Sequence, residues 1–128
     1  MNFALVCLLA IVVSVPFGLL FLLVPESTAA QYGISGWNAG TLSVARLFGV
    51  ALLFTAAAAL GVRDTTDART QKSFSTGFAL VTAVATVVAL HSVTTGALNS
   101  LGWSTVAIYA FFTAAWASVA FRRTALTR

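Results

Sequence analysis

Four long apolar stretches constrain the fold of this chain more than any other feature. They cover about residues 3–24, 39–62, 74–95 and 102–121. Each holds roughly 20 to 24 residues, and a helix of that length crosses a hydrocarbon layer about 30 Å thick. No stretch alternates between apolar and polar residues as a membrane strand does, and a helix pairs its own backbone groups in lipid. The sequence therefore predicts an all-α integral membrane four-helix bundle, with residues 1–128 forming a single transmembrane domain.

The scarcity of charged residues excludes a soluble globular domain and a disordered chain. Only 8% of the residues are charged and 59% are hydrophobic, whereas a soluble domain carries about 25% charged residues. Such a chain cannot cover a water-facing surface, and it lacks the high charge of a disordered chain. The net charge of +4 does not indicate nucleic-acid binding, because the basic residues stand beside the apolar stretches. We expect the lipid bilayer as the surroundings and no nucleic acid as a partner.

The basic residues predict the orientation. Six of them lie between the second and third stretches or after the fourth, namely Arg63, Arg69, Lys72, Arg122, Arg123 and Arg128. The connections 25–38 and 96–101 contain no Lys or Arg. By the positive-inside rule, the N and C termini and the middle loop are cytoplasmic. In the first outer loop, Pro25 and Gly33 are placed as the start and end of a short helix, which we expect to lie at the membrane interface.

Small residues predict how the helices pack, since helices in lipid associate through close contact of small side chains. The second stretch carries Ala45, Gly49, Ala56 and Ala59 along one face. The third and fourth carry comparable sets, Ser75, Ala79, Thr82, Ala83 and Thr86, and Ala107, Ala110, Ala114, Ala117 and Ser118. We expect these three helices to pack most tightly and the first helix to face lipid or a partner. The stripes permit both a monomer and a homo-oligomer.

Aromatic residues fall at the expected depths of the two membrane interfaces. Tyr32, Trp37 and Trp103 come at the outer side, and Trp116 and Phe121 come toward the inner side. Amphipathic rings prefer these positions. We interpret them mainly as interfacial anchors.

Arg46 is the one charged residue inside an apolar stretch, about 10 Å from its outer end at 1.5 Å per residue. A charge at depth is costly unless it snorkels to the interface or is paired. Glu26 is the only acid on the outer side and the simplest partner. The same outer half also contains His91, Tyr32, Tyr109, Asn99 and Trp103. We interpret this polar cluster either as a structural ion pair with hydrogen bonds or as a pocket for an amphipathic ligand.

No residue pattern indicates catalysis, and we assign no catalytic residue. One cysteine, Cys7, and one histidine are too few for the usual zinc, haem or iron–sulfur ligand sets, so no metal site is predicted. No centre of a stretch holds a carboxylate that could carry protons for coupled transport. We predict no cofactor beyond a bound lipid or quinone.

The first half of the chain resembles a family of small bacterial membrane proteins. The pattern runs from Pro25 through Tyr32-Gly33-Ile34 to Ala45-Arg46-Leu47-Phe48-Gly49, and a span rich in small residues then ends before Arg63. It resembles uncharacterised four-helix inner-membrane proteins that are loosely similar to DoxX-like proteins. The resemblance implies a bacterial inner membrane and respiratory or redox-stress complexes with a quinone nearby.

Three functions are consistent with these features. The first is a non-catalytic accessory subunit or binding module, with a polar outer-leaflet pocket for a lipid, a quinone or a similar ligand. The second is a subunit of a membrane redox enzyme, or a small transporter. The third is a purely structural partner of a larger membrane complex.

The predicted orientation has a direct test. A reporter that is active only in the cytoplasm should be active when fused after Arg128, because six basic residues hold that side inside. The measurement is reporter activity in intact cells. Activity of a reporter that functions only outside the cytoplasm, fused at the same position, would overturn the orientation.

Overall fold

Five helices account for most of the chain. The computed structural model describes residues 1–122. Its helices are α1 (Phe3–Leu23), α2 (Pro25–Gln31), α3 (Ala39–Val62), α4 (Ala68–Thr94) and α5 (Gly102–Ala120). All except α2 are long and apolar enough to cross a membrane, which confirms, for the described residues, the prediction of an all-helical fold with four candidate spans. Arg123 and Arg128 lie outside the described residues.

Local capping explains where the helices α3 and α4 begin. Asn38 and Thr41 form a reciprocal capping box before α3, with distances of 3.0 and 2.9 Å between side-chain and backbone atoms. The carboxylate of Asp67 accepts hydrogen bonds from the hydroxyl and the backbone N–H of Thr70, which lower the pKa of Asp67. Because of this cap, α4 begins at Ala68, upstream of the apolar stretch 74–95.

The helices α1 and α3 form an antiparallel hairpin around a close backbone contact. Gly18 and Gly49 are both buried where the two helices cross. A Cβ added to Gly49 would lie 2.7 Å from the Gly18 carbonyl oxygen and 2.7 Å from the Leu22 nitrogen. Glycine is required at this crossing because the obstacles are backbone atoms, which cannot rotate away as a side chain can.

The helices α4 and α5 form a second antiparallel hairpin. The hydroxyls of Thr86 and Thr113 are 3.5 Å apart across it. At its turn, Gly102 is buried against the side chains of Val93 and Leu98. The consecutive helices α3 and α4 scarcely contact each other, so the two hairpins are separate packing units.

An aromatic cluster joins the two hairpins at one end, and we call that end the basic end because Arg63 and Arg122 lie there. The cluster consists of Phe3 from α1, Phe74 and Phe78 from α4, and Trp116 from α5, with ring centroids 4.4 to 6.2 Å apart. These separations suit edge-to-face and stacked rings. Around the cluster pack Val6, Cys7, Ala10, Ala59, Phe112 and Ala115. The hydrophobic core of the molecule therefore lies toward the basic end.

Three packing expectations are wrong. The helix α1 is not the exposed one: it buries six residues, among them Phe3, Val6 and Gly18, because it is central to both the glycine crossing and the aromatic cluster. Most of the small-residue stripe of α5 faces outward, including Ala107, Ala110 and Ala114. Trp116 is not an interfacial anchor, since only 1% of its surface is exposed. In contrast, the buried positions of α3 are Gly49, Ala56 and Ala59, as its stripe predicts.

The glycine crossing predicts a large difference between two similar substitutions. Gly49→Ala should lower the free energy of unfolding by about 1–3 kcal/mol, because the new methyl group meets fixed backbone atoms. Gly61→Ala, on the same helix, has open space around it and should be neutral or slightly stabilising. The measurement is SDS-induced unfolding of the detergent-solubilised protein. Equal effects of the two substitutions would rule out a tight crossing.

Candidate binding cavity

A cavity of about 620 Å³ lies between the two hairpins. This volume is within the range of about 300–1,000 Å³ that is typical of small-molecule sites. The lining comes from both hairpins and from the segment after α2: Ala10, Val13, Ser14, Phe17, Phe21, Tyr32, Ile34, Phe48, Ala51, Leu52, Thr55, Phe78, Val81, Thr82, Val84, Ala85, Val88, Ala89, Ser92, Leu98, Thr105, Ile108, Tyr109, Phe112 and Trp116. Most of these side chains are apolar, and none carries a charge.

The cavity is closed toward the basic end by the aromatic cluster. Phe78, Phe112 and Trp116 line it there, and Trp116 packs against Phe78 with a centroid distance of 5.4 Å. On the α1–α3 side, Phe21 and Phe48 meet edge to face at 5.1 Å and line the opposite part of the cavity. Aromatic rings therefore form much of its surface.

The cavity opens sideways between α3 and α4. The lining residues of α4 in this region are among its most exposed side chains: Val81 is 67% exposed and Val84 is 65% exposed. On the facing side of α3, Phe48 and Ala51 also line the cavity and are exposed. Both helices are membrane-span candidates, so in a bilayer this opening would face lipid chains.

Hydroxyl groups supply the polarity of the cavity, and they fall into two kinds. Those of Thr55, Thr82 and Ser92 donate to backbone oxygens of their own helices at 2.7 to 3.0 Å. Those of Tyr32, Thr105 and Tyr109 make no hydrogen bond within residues 1–122, and the same holds for Ser14. Unpaired hydroxyls in an apolar cavity remain available to a ligand.

Asn99 joins the two hairpins at the end opposite the aromatic cluster, which we call the α2 end. Its backbone N–H donates to the Tyr32 carbonyl at 3.0 Å, and its side-chain amide donates to the Gln31 carbonyl at 2.8 Å. Its side-chain oxygen also accepts from the Leu101 N–H at 3.0 Å. Gly33, with φ of 81°, lets the chain turn beside Asn99. We call these contacts the Asn99 clasp.

The structure brings together three residues of the predicted polar cluster. Tyr32 and Tyr109 line the cavity from opposite hairpins. Asn99 holds Tyr32 through its carbonyl oxygen. The cavity is more apolar than the polar pocket we expected, because these two phenol groups are accompanied only by hydroxyls and hydrocarbon.

The other four residues of the predicted cluster lie outside the cavity. Arg46 and Glu26 are both exposed, and the expected ion pair between them is not formed. Within residues 1–122, Arg63 and Asp64 are the pair in salt-bridge contact, at 3.0 Å. Arg46 does not line the cavity because the α3 residues that do, such as Phe48, Ala51 and Thr55, lie on the opposite side of this helix. His91 and Trp103 are also exposed and do not line the cavity.

Sequence reasoning missed the residues that form the floor of the cavity. Phe78, Phe112 and Trp116 come from two helices and meet Phe3 only after the chain folds. The available signal was the concentration of aromatic side chains near the basic ends of α4 and α5. From the sequence alone, we interpret aromatic residues there as interfacial anchors. The unpaired hydroxyls of Thr105 and Tyr109 could have been grouped from their spacing of four residues, which places them on one face of α5.

In comparisons with known proteins, no protein-family model, no curated protein and no solved structure matches the chain. The similarity to DoxX-like proteins therefore stays a prediction, and the candidate site depends on the geometry of this chain.

The Asn99 clasp can be tested by removing its side chain. Asn99→Ala should lower the free energy of unfolding by about 1–3 kcal/mol, because it deletes two side-chain hydrogen bonds. Hydrogen exchange should also increase in residues 31–33 and 98–101. Ser100→Ala, beside it in the same exposed turn, is the control and should change neither quantity. Unchanged exchange in the Asn99 variant would show that the clasp does not hold the hairpins together.

Proposed function

We propose that this protein is a membrane-embedded binding module that holds one amphipathic lipid-like molecule in the cavity between its hairpins. The observation that carries the proposal is an apolar cavity of about 620 Å³ that opens sideways between two membrane-span candidates. A cavity of this kind suits a ligand that is already dissolved in the bilayer.

The geometry of the walls supports reversible binding from the side. The hairpins contact each other at the aromatic cluster and at the Asn99 clasp. Between these two contacts, the cavity opens through the gap between α3 and α4. A lipid-like molecule that moves through this opening exchanges contacts with lipid chains for contacts with Phe48, Val81 and Val84. Close-packed contacts in such a cavity are more numerous than those in fluid lipid, and they favour the bound state.

The orientation that we propose places the basic end in the cytoplasm and the cavity's α2 end toward the outer leaflet. The asymmetry of Lys and Arg supports it, because the connections at the α2 end contain none. The helix α2 then lies at the outer interface, with Glu26 exposed on it. The membrane that we propose is a bacterial inner membrane, in which the protein acts alone or as the accessory subunit of a larger complex.

Blocking the opening should prevent binding. Ala51 lies at the mouth and lines the cavity, so Ala51→Phe should fill the opening and lower the affinity for a lipid-like probe by about tenfold. The probe is stearyl alcohol brominated in the middle of its chain, because bromine quenches tryptophan fluorescence on contact. The measurement is quenching of Trp116 in a Trp37→Phe/Trp103→Phe background, in which Trp116 is the remaining tryptophan.

The matched control for this experiment is Ala57→Phe. Ala57 is exposed on the same helix but does not line the cavity, so this variant should bind the probe as the parent protein does. Saturable quenching that Ala51→Phe reduces and Ala57→Phe leaves intact supports the proposal. Absence of saturable quenching in the parent protein, or equal quenching in both variants, refutes it.

A further inference from the structure

We propose that the ligand has an uncharged head group with a hydroxyl or carbonyl oxygen, and that this head group lies beneath the Asn99 clasp, between Tyr32, Thr105 and Tyr109. The hydrocarbon part of the ligand then extends toward Trp116. This inference rests on the proposed function and specifies the chemical class of the ligand.

The charge distribution of the cavity excludes a charged head group inside it. The lining contains no Asp, Glu, Lys, Arg or His. Arg46 and His91 are both exposed and lie outside the cavity. A charged group taken into an apolar cavity loses its hydration and gains no counter-charge there. A head group without charge loses far less, provided that it finds hydrogen-bond partners.

Three of the four unpaired hydroxyls supply these partners, and these three lie toward the α2 end. Thr105 and Tyr109 lie in the first two turns of α5, and Tyr32 follows α2 directly. Each hydroxyl can donate one hydrogen bond and accept another. Both a hydroxyl and a carbonyl group on the ligand therefore satisfy them.

The opposite end of the cavity suits hydrocarbon. Phe78, Phe112 and Trp116 line it, and the Phe112 and Trp116 side chains are buried. Tyr109 and Trp116 are seven residues apart on α5, which is about 10 Å along the helix. Mid-chain bromines of a stearyl probe whose head lies at Tyr109 consequently come close to the Trp116 ring. The polarity of the cavity thus specifies one orientation of the ligand.

Three probes with the same brominated chain test the head group: stearyl alcohol, stearyl sulfate and the octadecane without a head. Binding is measured by quenching of Trp116 in the Trp37→Phe/Trp103→Phe protein, in neutral detergent micelles. The alcohol should bind at least about tenfold more tightly than the sulfate, whose charge has no partner in the cavity. It should bind about fivefold more tightly than the octadecane, because it gains hydrogen bonds.

Hydroxyl removal tests the position of the head group. Tyr109→Phe should abolish most of the preference for the alcohol over the octadecane while leaving the affinity for the octadecane unchanged. Tyr32→Phe should have a similar effect, and it provides a second variant if the first does not fold. Ser104→Ala, in the same region of α5 but exposed and outside the cavity, is the control and should keep the preference.

The outcomes separate this inference from the proposed function. Saturable quenching by the sulfate as strong as that by the alcohol overturns the inference but leaves the binding module intact, because the head would then stay outside the cavity. An unchanged preference in both tyrosine variants overturns the placement of the head group. Lack of saturable quenching by all three probes refutes the proposed function itself.

Discussion

The packing of Trp116 against three phenylalanine rings is the interaction on which the rest of the structure depends. It joins α1, α4 and α5 within one cluster and thereby fixes the two hairpins to each other at the basic end. Each hairpin is held internally by different contacts, the glycine crossing in one and the α4–α5 interface in the other. Because the cluster lies at one end, the hairpins are free to separate beyond it, and the cavity is the result.

The bilayer explains why such an opening is compatible with a stable fold. In water, the exposed valines of α4 and the phenylalanine of α3 at the opening would be driven together to reduce their apolar surface. In lipid this driving force is absent, because hydrocarbon chains are as apolar as the side chains themselves. The gap between α3 and α4 therefore does not have to close. The Asn99 clasp limits the separation at the other end, through backbone and side-chain hydrogen bonds to residues 31 and 32.

The sequence predicted the parts of the fold that follow from one-dimensional rules. Four helices were predictable because hydrocarbon thickness and backbone hydrogen bonding determine the length of a span, and the buried face of α3 followed from its small residues. The rotation of each helix and the pairing of the hairpins were not predictable in the same way. From the sequence, Trp116 resembles an interfacial anchor, and only the fold shows that Phe3 and Phe74 pack against it. Asn99 and Gln31 are 68 residues apart, and their contact has no local signature.

Arg46 shows most clearly how helix rotation decides what a residue can do. Its position beside Ala45 and Gly49 suggested that it points into the bundle, and Glu26 was its simplest partner. The side of α3 that lines the cavity instead carries Phe48, Ala51 and Thr55, and Arg46, on the opposite side of the helix, is left exposed. A guanidinium on that surface can extend along the helix toward the outer interface, where water and lipid head groups solvate it. Had α3 been rotated so that Arg46 faced the cavity, the site would carry a positive charge and select anionic ligands. The rotation of α3 that turns Phe48 and Ala51 toward the cavity thus keeps the cavity uncharged.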